Sequence, residues 1–182
     1  MKTIFRTIAI VCFLSLITAC GGAIDDATNT DDLSKKFDPI VAYPSVLKAA
    51  SAYTTNISAV TLKGTRTANA SKTKSSCTSF SWIWTVAGSD GIFVDVQVNA
   101  SGTKVLAHEH RFFYAGQASF DPTRVLVNAQ DLLAISADLE TEQPTSLFLG
   151  SSLATEVTGP RWAAQFADAT LTIDGVTGDV CK

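Results

Sequence analysis

Charged and reactive side chains are scarce in this chain of 182 residues. Only 17% of the residues are charged and 46% are hydrophobic, a balance that is too apolar for a disordered protein. The 14 lysines and arginines are outnumbered by 17 acids, so nucleic acid is not an expected partner. The four cysteines include no Cys-x-x-Cys pair, which argues against a zinc ribbon and a thioredoxin-like redox centre. The length suits one domain or two very small ones.

Recognisable catalytic motifs are also missing from the sequence. The chain has no Gly-x-Ser-x-Gly element and no glycine-rich phosphate loop after a predicted strand. With only two histidines and scattered acids, no catalytic triad or carboxylate pair can be localised. We therefore expect a protein that is not an enzyme and that carries no cofactor.

The first twenty residues form an export signal. Lys2 and Arg6 precede an apolar run that is shorter than the roughly 20 residues of a transmembrane helix. The run ends in the sequence Leu16-Ile17-Thr18-Ala19-Cys20-Gly21. This stretch resembles the lipobox of bacterial lipoproteins, in which small residues precede a cysteine that is acylated and becomes the new N-terminus. An ordinary secretory signal that is cleaved near Cys20 is the alternative.

The lipobox resemblance implies a signal peptide at residues 1–19, lipidation of Cys20 and attachment to a membrane in the cell envelope. Two acyl chains on one cysteine provide stable anchoring. Because Gly21 rather than Asp follows the cysteine, the resemblance also implies sorting to the outer membrane in a cell that has one. Residues 20–36 are predicted to be a flexible tether, since they contain too few apolar residues to build a core.

Cys77 and Cys181 are the two cysteines that remain in the exported domain. The export route places them in an oxidising compartment, so we predict a disulfide between them, closing a loop of about 100 residues. Two buried free thiols are the alternative.

The exported domain is predicted to contain two α-β-β-β units, at residues 37–114 and 115–182. Asp38-Pro39 and Asp121-Pro122 are helix-start signals, and the second helix is expected from about Pro122 to Ala137. An apolar strand, a tryptophan-containing strand, a third strand and a glycine turn follow each helix. The pattern recurs at an offset of about 80 residues. The predicted fold class is α+β with antiparallel sheets.

The C-terminal unit resembles part of a known domain family. Its segments WAAQF, at 162–166, and TIDGVTGDV, at 172–180, resemble the C-terminal half of a PepSY domain, which has an aromatic strand, a strand ending in Asp and a Thr-Gly turn. Val94-Asp95 and the segment 101–105 resemble a degenerate second copy. A similar tandem plan is seen in β-lactamase-inhibitor-like proteins. The resemblance implies a non-catalytic module that binds or regulates peptidases.

Aromatic strands and a basic segment supply the candidate binding residues. Residues 63–74 contain four basic residues and no acid. The candidates are Trp82, Trp84, Trp162, Lys63, Arg66, Lys72 and Lys74. The expected partners are the membrane, through the lipid on Cys20, and an envelope protein or peptidase. A structural or assembly lipoprotein of the outer membrane is the alternative.

His108 and His110 suggest a third hypothesis, a metal-binding lipoprotein. On a strand the two side chains point to the same face, about 6–7 Å apart. A protein-bound metal needs about three or four ligands, so Asp95 or Asp121 would have to complete the site. A half-buried sheet surface explains the two histidines more simply.

Overall fold

The computed structural model describes residues 37–68, 77–112, 117–139, 143–152 and 159–181. The predicted signal peptide, Cys20 and the tether lie outside these ranges, as do Lys72 and Lys74. The described chain contains two α-helices, α1 (Tyr43–Ala50) and α2 (Ala129–Leu139). Neither of these helices has the length and apolar character needed to cross a membrane.

Eight strands form one antiparallel sheet, which confirms the predicted α+β class. They are β1 (Ser58–Arg66), β2 (Phe80–Ala87), β3 (Ile92–Asn99), β4 (Gly102–His110), β5 (Gln117–Ala118), β6 (Ser146–Ser152), β7 (Pro160–Gln165) and β8 (Thr170–Asp174). Their order across the sheet is β4-β3-β2-β1-β6-β7-β8, and the short β5 pairs with β6.

The pairing of β1 with β6 joins the two halves of the chain. Leu62 lies directly opposite Leu149 at this junction. The sheets that the sequence predicted for separate units are therefore one continuous sheet. A row of buried residues crosses six strands in register, through Val96, Trp84, Leu62, Leu149, Trp162 and Ile173.

Both helices pack on the face of the sheet that carries this row. Val46 and Ala50 of α1 and Leu132 and Leu133 of α2 belong to the same buried cluster as the row. Alternation along the strands sends every second side chain to the opposite face. The apolar cluster on that opposite face is small, and comprises Val60, Ala87 and Phe93.

The second helix begins later than predicted. Asp121-Pro122 opens a single 3-10 turn, Pro122–Arg124, because the Asp121 carboxylate accepts the N–H of Thr123 at 2.9 Å. The side chain of Asn128 instead accepts the N–H groups of Gln130 and Asp131 and caps α2.

The first Asp-Pro pair behaves in the same way. Asp38 accepts the N–H of Ile40 in a turn, and α1 starts only at Tyr43, with Pro44 in its first turn. In this chain an Asp-Pro pair therefore marks the turn before a helix, and the helix itself begins several residues later.

Candidate functional site

The three tryptophans that the sequence suggested as binding residues lie in the core. All three are fully buried. Each indole N–H donates to a backbone carbonyl: Trp82 to Cys77 at 2.7 Å, Trp84 to Pro39 at 2.8 Å and Trp162 to Val127 at 2.8 Å. Because a partner can touch only accessible atoms, these side chains do not form a binding patch. The tryptophans face the helices. The smaller or more polar residues that alternate with them along the same strands face the opposite side of the sheet.

The predicted disulfide is not formed, and Cys77 and Cys181 are free thiols. Cys77 lies just before β2, with its Sγ 3.8 Å from Oε1 of Gln130 in α2. Cys181 follows β8, which stands four strand positions away from β2. At the usual strand spacing this is roughly 19 Å, whereas the Cα atoms of a disulfide lie within about 7 Å of each other. Burial raises the pKa of the Cys77 thiol to about 12, with help from the charges of Asp38 and Asp131.

The two histidines lie on the exposed strand β4. His108 is opposite Val94 and His110 is opposite Ile92 in the register with β3, so both share one face, as predicted. The His108 ring stacks on Tyr53, with the ring centroids 4.3 Å apart. Within the described ranges, no three His, Cys, Asp or Glu side chains are grouped so as to hold a metal ion.

The two acids that could have completed a metal site are engaged elsewhere. Asp95 accepts from Thr85 and Arg111, and Asp121 accepts from Thr123. The arrangement of the described residues thus gives the metal hypothesis no support.

The face of the sheet opposite the helices, here called the open face, carries an exposed aromatic ring at its centre. Phe148 of β6 lies directly opposite Lys63 of β1. The Lys63 side chain is exposed, and Phe148 is 43% exposed. Ile83 of β2 lies opposite Lys63 on the other side, and the remaining residues around the pair are small or polar: Thr61, Thr65, Ser81, Thr85, Gln97 and Ala163. An accessible aromatic ring with a polar surround is typical of a protein interaction surface.

Gly150 lets the Phe148 ring lie flat on the sheet. A Cβ atom at position 150 would come within 2.9 Å of Cε1 of Phe148. The ring therefore occupies the space that a larger residue at position 150 would fill, and it presents an aromatic surface to solvent.

Arg161 of β7 adds a cation to the open face next to this ring. Arg161 is opposite Gly150 on one side and Asp174 on the other. Its Nε is buried and has no hydrogen-bond partner. The Asp174 carboxylate accepts the N–H groups of Val176 and Thr177, at 2.8 and 2.9 Å. These bonds, and to a smaller degree the charge of Arg161, lower the pKa of Asp174. Among the described residues Arg161 makes no ion pair.

A second cation of the open face, Arg111, is paired with acidic side chains of the same chain. Arg111 donates to Asp95 at 2.8 Å and to Glu109 at 2.6 Å, and its guanidinium lies 5.8 Å from the centre of the Phe93 ring. These hydrogen bonds raise the pKa of Arg111, so this cation is balanced within the chain. Arg161, by contrast, makes no ion pair with a described residue, although its charge helps to lower the pKa of Asp174.

The basic residues that the sequence grouped together are separated in the structure. Lys63 lies on the open face, whereas Arg66 is the last residue of β1 and pairs across the sheet with Phe80. Lys72 and Lys74 lie outside the described residues. The structure thus combines Lys63 with Phe148 and Arg161, two residues that the sequence analysis did not select. The alternation of side chains along Ser146–Leu149 was the available signal for Phe148. Because Leu147 and Leu149 are buried, Phe148 between them faces the opposite side of the sheet.

The two outer edges of the sheet differ. The chain's own C-terminal segment covers β8, through the N–H of Cys181 to Thr172 and the bridge between Ile173 and Val180. Strand β4 pairs only with β3 among the described strands, and a bulge interrupts it opposite Asp95 and Val96. Bulges of this kind disturb the regular pairing of an edge strand.

A cleft of about 370 Å³ lies between the segment before α1 and the turn that joins β3 to β4. Phe37 and the turn residues Asn99, Ala100 and Ser101 also line a second cleft of about 330 Å³ that reaches Cys77. Asp38 lines the larger cleft, and burial is the main cause that raises the pKa of its carboxyl group. The clefts lie at the point where the predicted tether meets the domain.

Comparison with known proteins identifies the fold more firmly than the family. No protein-family profile and no curated protein matches the sequence. The chain is similar to the crystal structure of a candidate lipoprotein from Clostridium difficile 630, with a TM-score of 0.52 and 15% identity. The match covers 81% of this chain and 95% of that one. At this level of identity the likeness is one of fold.

Proposed function

We propose that this chain is a non-catalytic, lipid-anchored protein of the cell envelope that binds a protein or peptide partner through the open face of its sheet. The observation that carries the proposal is the exposed ring of Phe148 beside Lys63, at the centre of a sheet face that no described helix covers. A buried aromatic ring contributes packing, whereas an exposed ring held by a neighbouring glycine offers contact area to a partner.

The lipobox resemblance around Cys20 supports the anchor, and the tether at residues 20–36 would place the domain just off the membrane. About sixteen flexible residues give an average reach on the order of 20–25 Å. The similarity in fold to a candidate lipoprotein agrees with this placement. In a cell with two membranes, the residue after Cys20 favours the outer one.

A pair of repeated, PepSY-like units is the evolutionary arrangement that we propose for the domain. Trp84 and Trp162 each donate to a carbonyl in the turn before a helix. Their strand partners Leu62 and Leu149 pair with each other at the junction between the halves. This near-symmetry supports duplication of one unit, and the PepSY resemblance suggests a peptidase as the partner to be tested first.

Site-specific photo-crosslinking in intact cells tests the binding function. A photoreactive phenylalanine analogue replaces Phe148 in the lipidated protein, and Leu126, which is 69% exposed, serves as the control position. Crosslinking from position 148 should yield a discrete adduct, whereas position 126 should yield none. No adduct from position 148, or the same adducts from both positions, would contradict the proposal.

The identity of the adduct separates the remaining alternatives. A peptidase would support a regulatory role, and a component of the outer-membrane assembly machinery would support the structural alternative. Mass spectrometry of the adduct makes this distinction directly.

A further inference from the structure

We infer that the open face recognises an acidic segment of its partner, and that Arg161 pairs with a carboxylate of that segment. This inference rests on the proposed function, because it names the chemistry of the partner that the open face binds. It starts from Arg161, whose Nε makes no hydrogen bond.

The Arg161 side chain has a hydrogen-bond donor, its Nε–H, that no acceptor satisfies. Its Nε is buried without a hydrogen-bond partner, and Asp174, its cross-strand neighbour, already accepts two backbone N–H groups. Arg161 as a whole is half-buried rather than buried, so a partner would meet the terminal part of its guanidinium group from the open face. A carboxylate is the acceptor that fits the planar guanidinium, since it can take two parallel hydrogen bonds.

Lys63 and Phe148 extend the site in a defined direction. Gly150, which carries the Phe148 ring, lies opposite Arg161, and Lys63 lies opposite Phe148 on the next strand. From strand spacing and rise, the Cα atoms of Lys63 and Arg161 are roughly 12 Å apart, with the aromatic ring between them. In an extended peptide, residues i and i+4 share a face and are about 13 Å apart. The site therefore fits the pattern acid-x-apolar-x-acid.

The charges of the open face favour a peptide over an anionic bilayer. Asp95 and Asp174 belong to the same face and would repel a plane of phosphate groups. The whole chain has a formal net charge of -3, which also opposes adsorption to such a surface. An extended segment can place single carboxylates at Arg161 and Lys63 while it avoids both acids.

A titration of the lipidated protein in neutral detergent micelles tests the inference. The probe is a blocked peptide with the pattern Glu-Ser-Leu-Ser-Glu, and a peptide with lysine in place of both glutamates is the matched control. The NMR signal of the Arg161 Nε–H should shift in a saturable way with the acidic peptide alone. Arg161→Gln should weaken binding about tenfold, Arg161→Lys less and Lys63→Gln least, because only arginine offers the paired donors.

Lys48→Gln is the control variant, since Lys48 is exposed in the last turn of α1, on the helix side of the sheet. Its affinity for the acidic peptide should equal that of the unchanged protein. Circular dichroism of each variant separates a loss of binding from a loss of folding, and the Lys63→Gln variant tests the site without altering Arg161.

Three results would overturn the inference: no saturable binding of the acidic peptide, equal binding of the lysine peptide, or unchanged binding by Arg161→Gln. Binding of inorganic phosphate as tight as that of the peptide would also overturn it, in favour of a phosphate or lipid headgroup. If crosslinks form at position 148 in cells while the acidic peptide fails to bind, the proposed function stands and this inference falls.

Discussion

Trp84 and Trp162 make the same kind of contact in the two halves of the chain. Each indole donates at 2.8 Å to a backbone carbonyl in the turn that leads into a helix, Pro39 before α1 and Val127 before α2. Each tryptophan thereby fixes the start of a helix against its own strand, β2 for Trp84 and β7 for Trp162. The contact couples the sheet to both helices through fully buried polar groups.

Replacing either tryptophan by phenylalanine should destabilise the protein. Trp84→Phe and Trp162→Phe keep an aromatic ring but leave a buried carbonyl without its donor, which costs about 1–3 kcal/mol in addition to the lost packing. Urea denaturation measures the change in the free energy of unfolding. Tyr53→Phe, at an exposed ring, should stay within about 0.5 kcal/mol of the unchanged protein. Equal stability of all three variants would rule out the proposed role of the indole hydrogen bonds.

Two glycines that each lie under an aromatic ring should respond differently to alanine. A Cβ atom at position 64 would lie 2.5 Å from the buried Trp82 ring, which has no free space to move into. Gly64→Ala should therefore cost about 1–3 kcal/mol through overpacking. Gly150→Ala displaces only the half-exposed Phe148 ring and should cost less than about 1 kcal/mol. Denaturation curves that give the two variants the same stability would contradict this contrast.

The two free thiols should differ strongly in reactivity. Burial raises the pKa of Cys77 to about 12 and keeps its thiol protonated, whereas Cys181 is only partly covered. Iodoacetamide at about pH 8 should therefore modify Cys181 in the folded protein and both residues after denaturation, because the thiolate is the reactive form. Peptide mass spectrometry identifies the modified sites. If neither residue reacts until a reductant is added, the two are joined by the disulfide that the sequence first suggested.

Neutralising Asp38 should stabilise the protein near neutral pH. Burial, and to a lesser degree the charge of Asp131, raise the pKa of Asp38, so the folded state disfavours its ionised form. The protonated carboxyl group therefore favours the folded state. This contribution to stability is fully present below the pKa of Asp in the unfolded chain, about 3.9, and is lost as pH rises through the pKa of Asp38 in the folded state. Asp38→Asn keeps an oxygen acceptor for the N–H of Ile40. It should raise the melting temperature at about pH 7 and leave it unchanged at about pH 2.5.

Asp174 provides a control in which the expected effect of the substitution on stability has the opposite sign. The N–H groups of Thr177 and Val176 lower its pKa, so its contribution is present above the unfolded pKa and is lost as pH falls through the folded pKa. Asp174→Asn should lower the melting temperature slightly at about pH 7 and have no effect in strong acid. A pH-independent effect of either substitution would contradict the assignment of these shifts to the two carboxyl groups.

Local patterns in the sequence predicted the strands and turns, while contacts between distant segments determined the site. The tryptophan-containing strand predicted for the first half is β2, and the strand predicted to follow it is β3. The helix starts were misplaced because an Asp-Pro pair also stabilises a tight turn, and only the folded chain shows that Asn128 caps α2. The pairing of Lys63 with Phe148 depends on the β1–β6 junction, which joins strands about 85 residues apart, and no local signal specifies such a register.

The same distinction between local patterns and long-range contacts explains why the sequence suggested the wrong binding residues. A period of two shows that Trp82 and Trp84 share one face, but the helices decide which face is buried. The helices cover the tryptophans, so the exposed surface is built by Phe148, Lys63 and Arg161. The cysteine prediction was wrong because the export that the sequence predicts indicates only that a disulfide is permitted. The order of strands sets the separation between Cys77 and Cys181.

The unequal borders of the sheet limit how copies of this protein can assemble. In the described part of the chain the tail after β8 closes one border, and only the β4 side has unpaired backbone groups. A ribbon of stacked chains needs two open borders on every member, as in a fibril. Growth along the sheet would therefore stop at a closed pair of molecules, because neither member of the pair has a second open border.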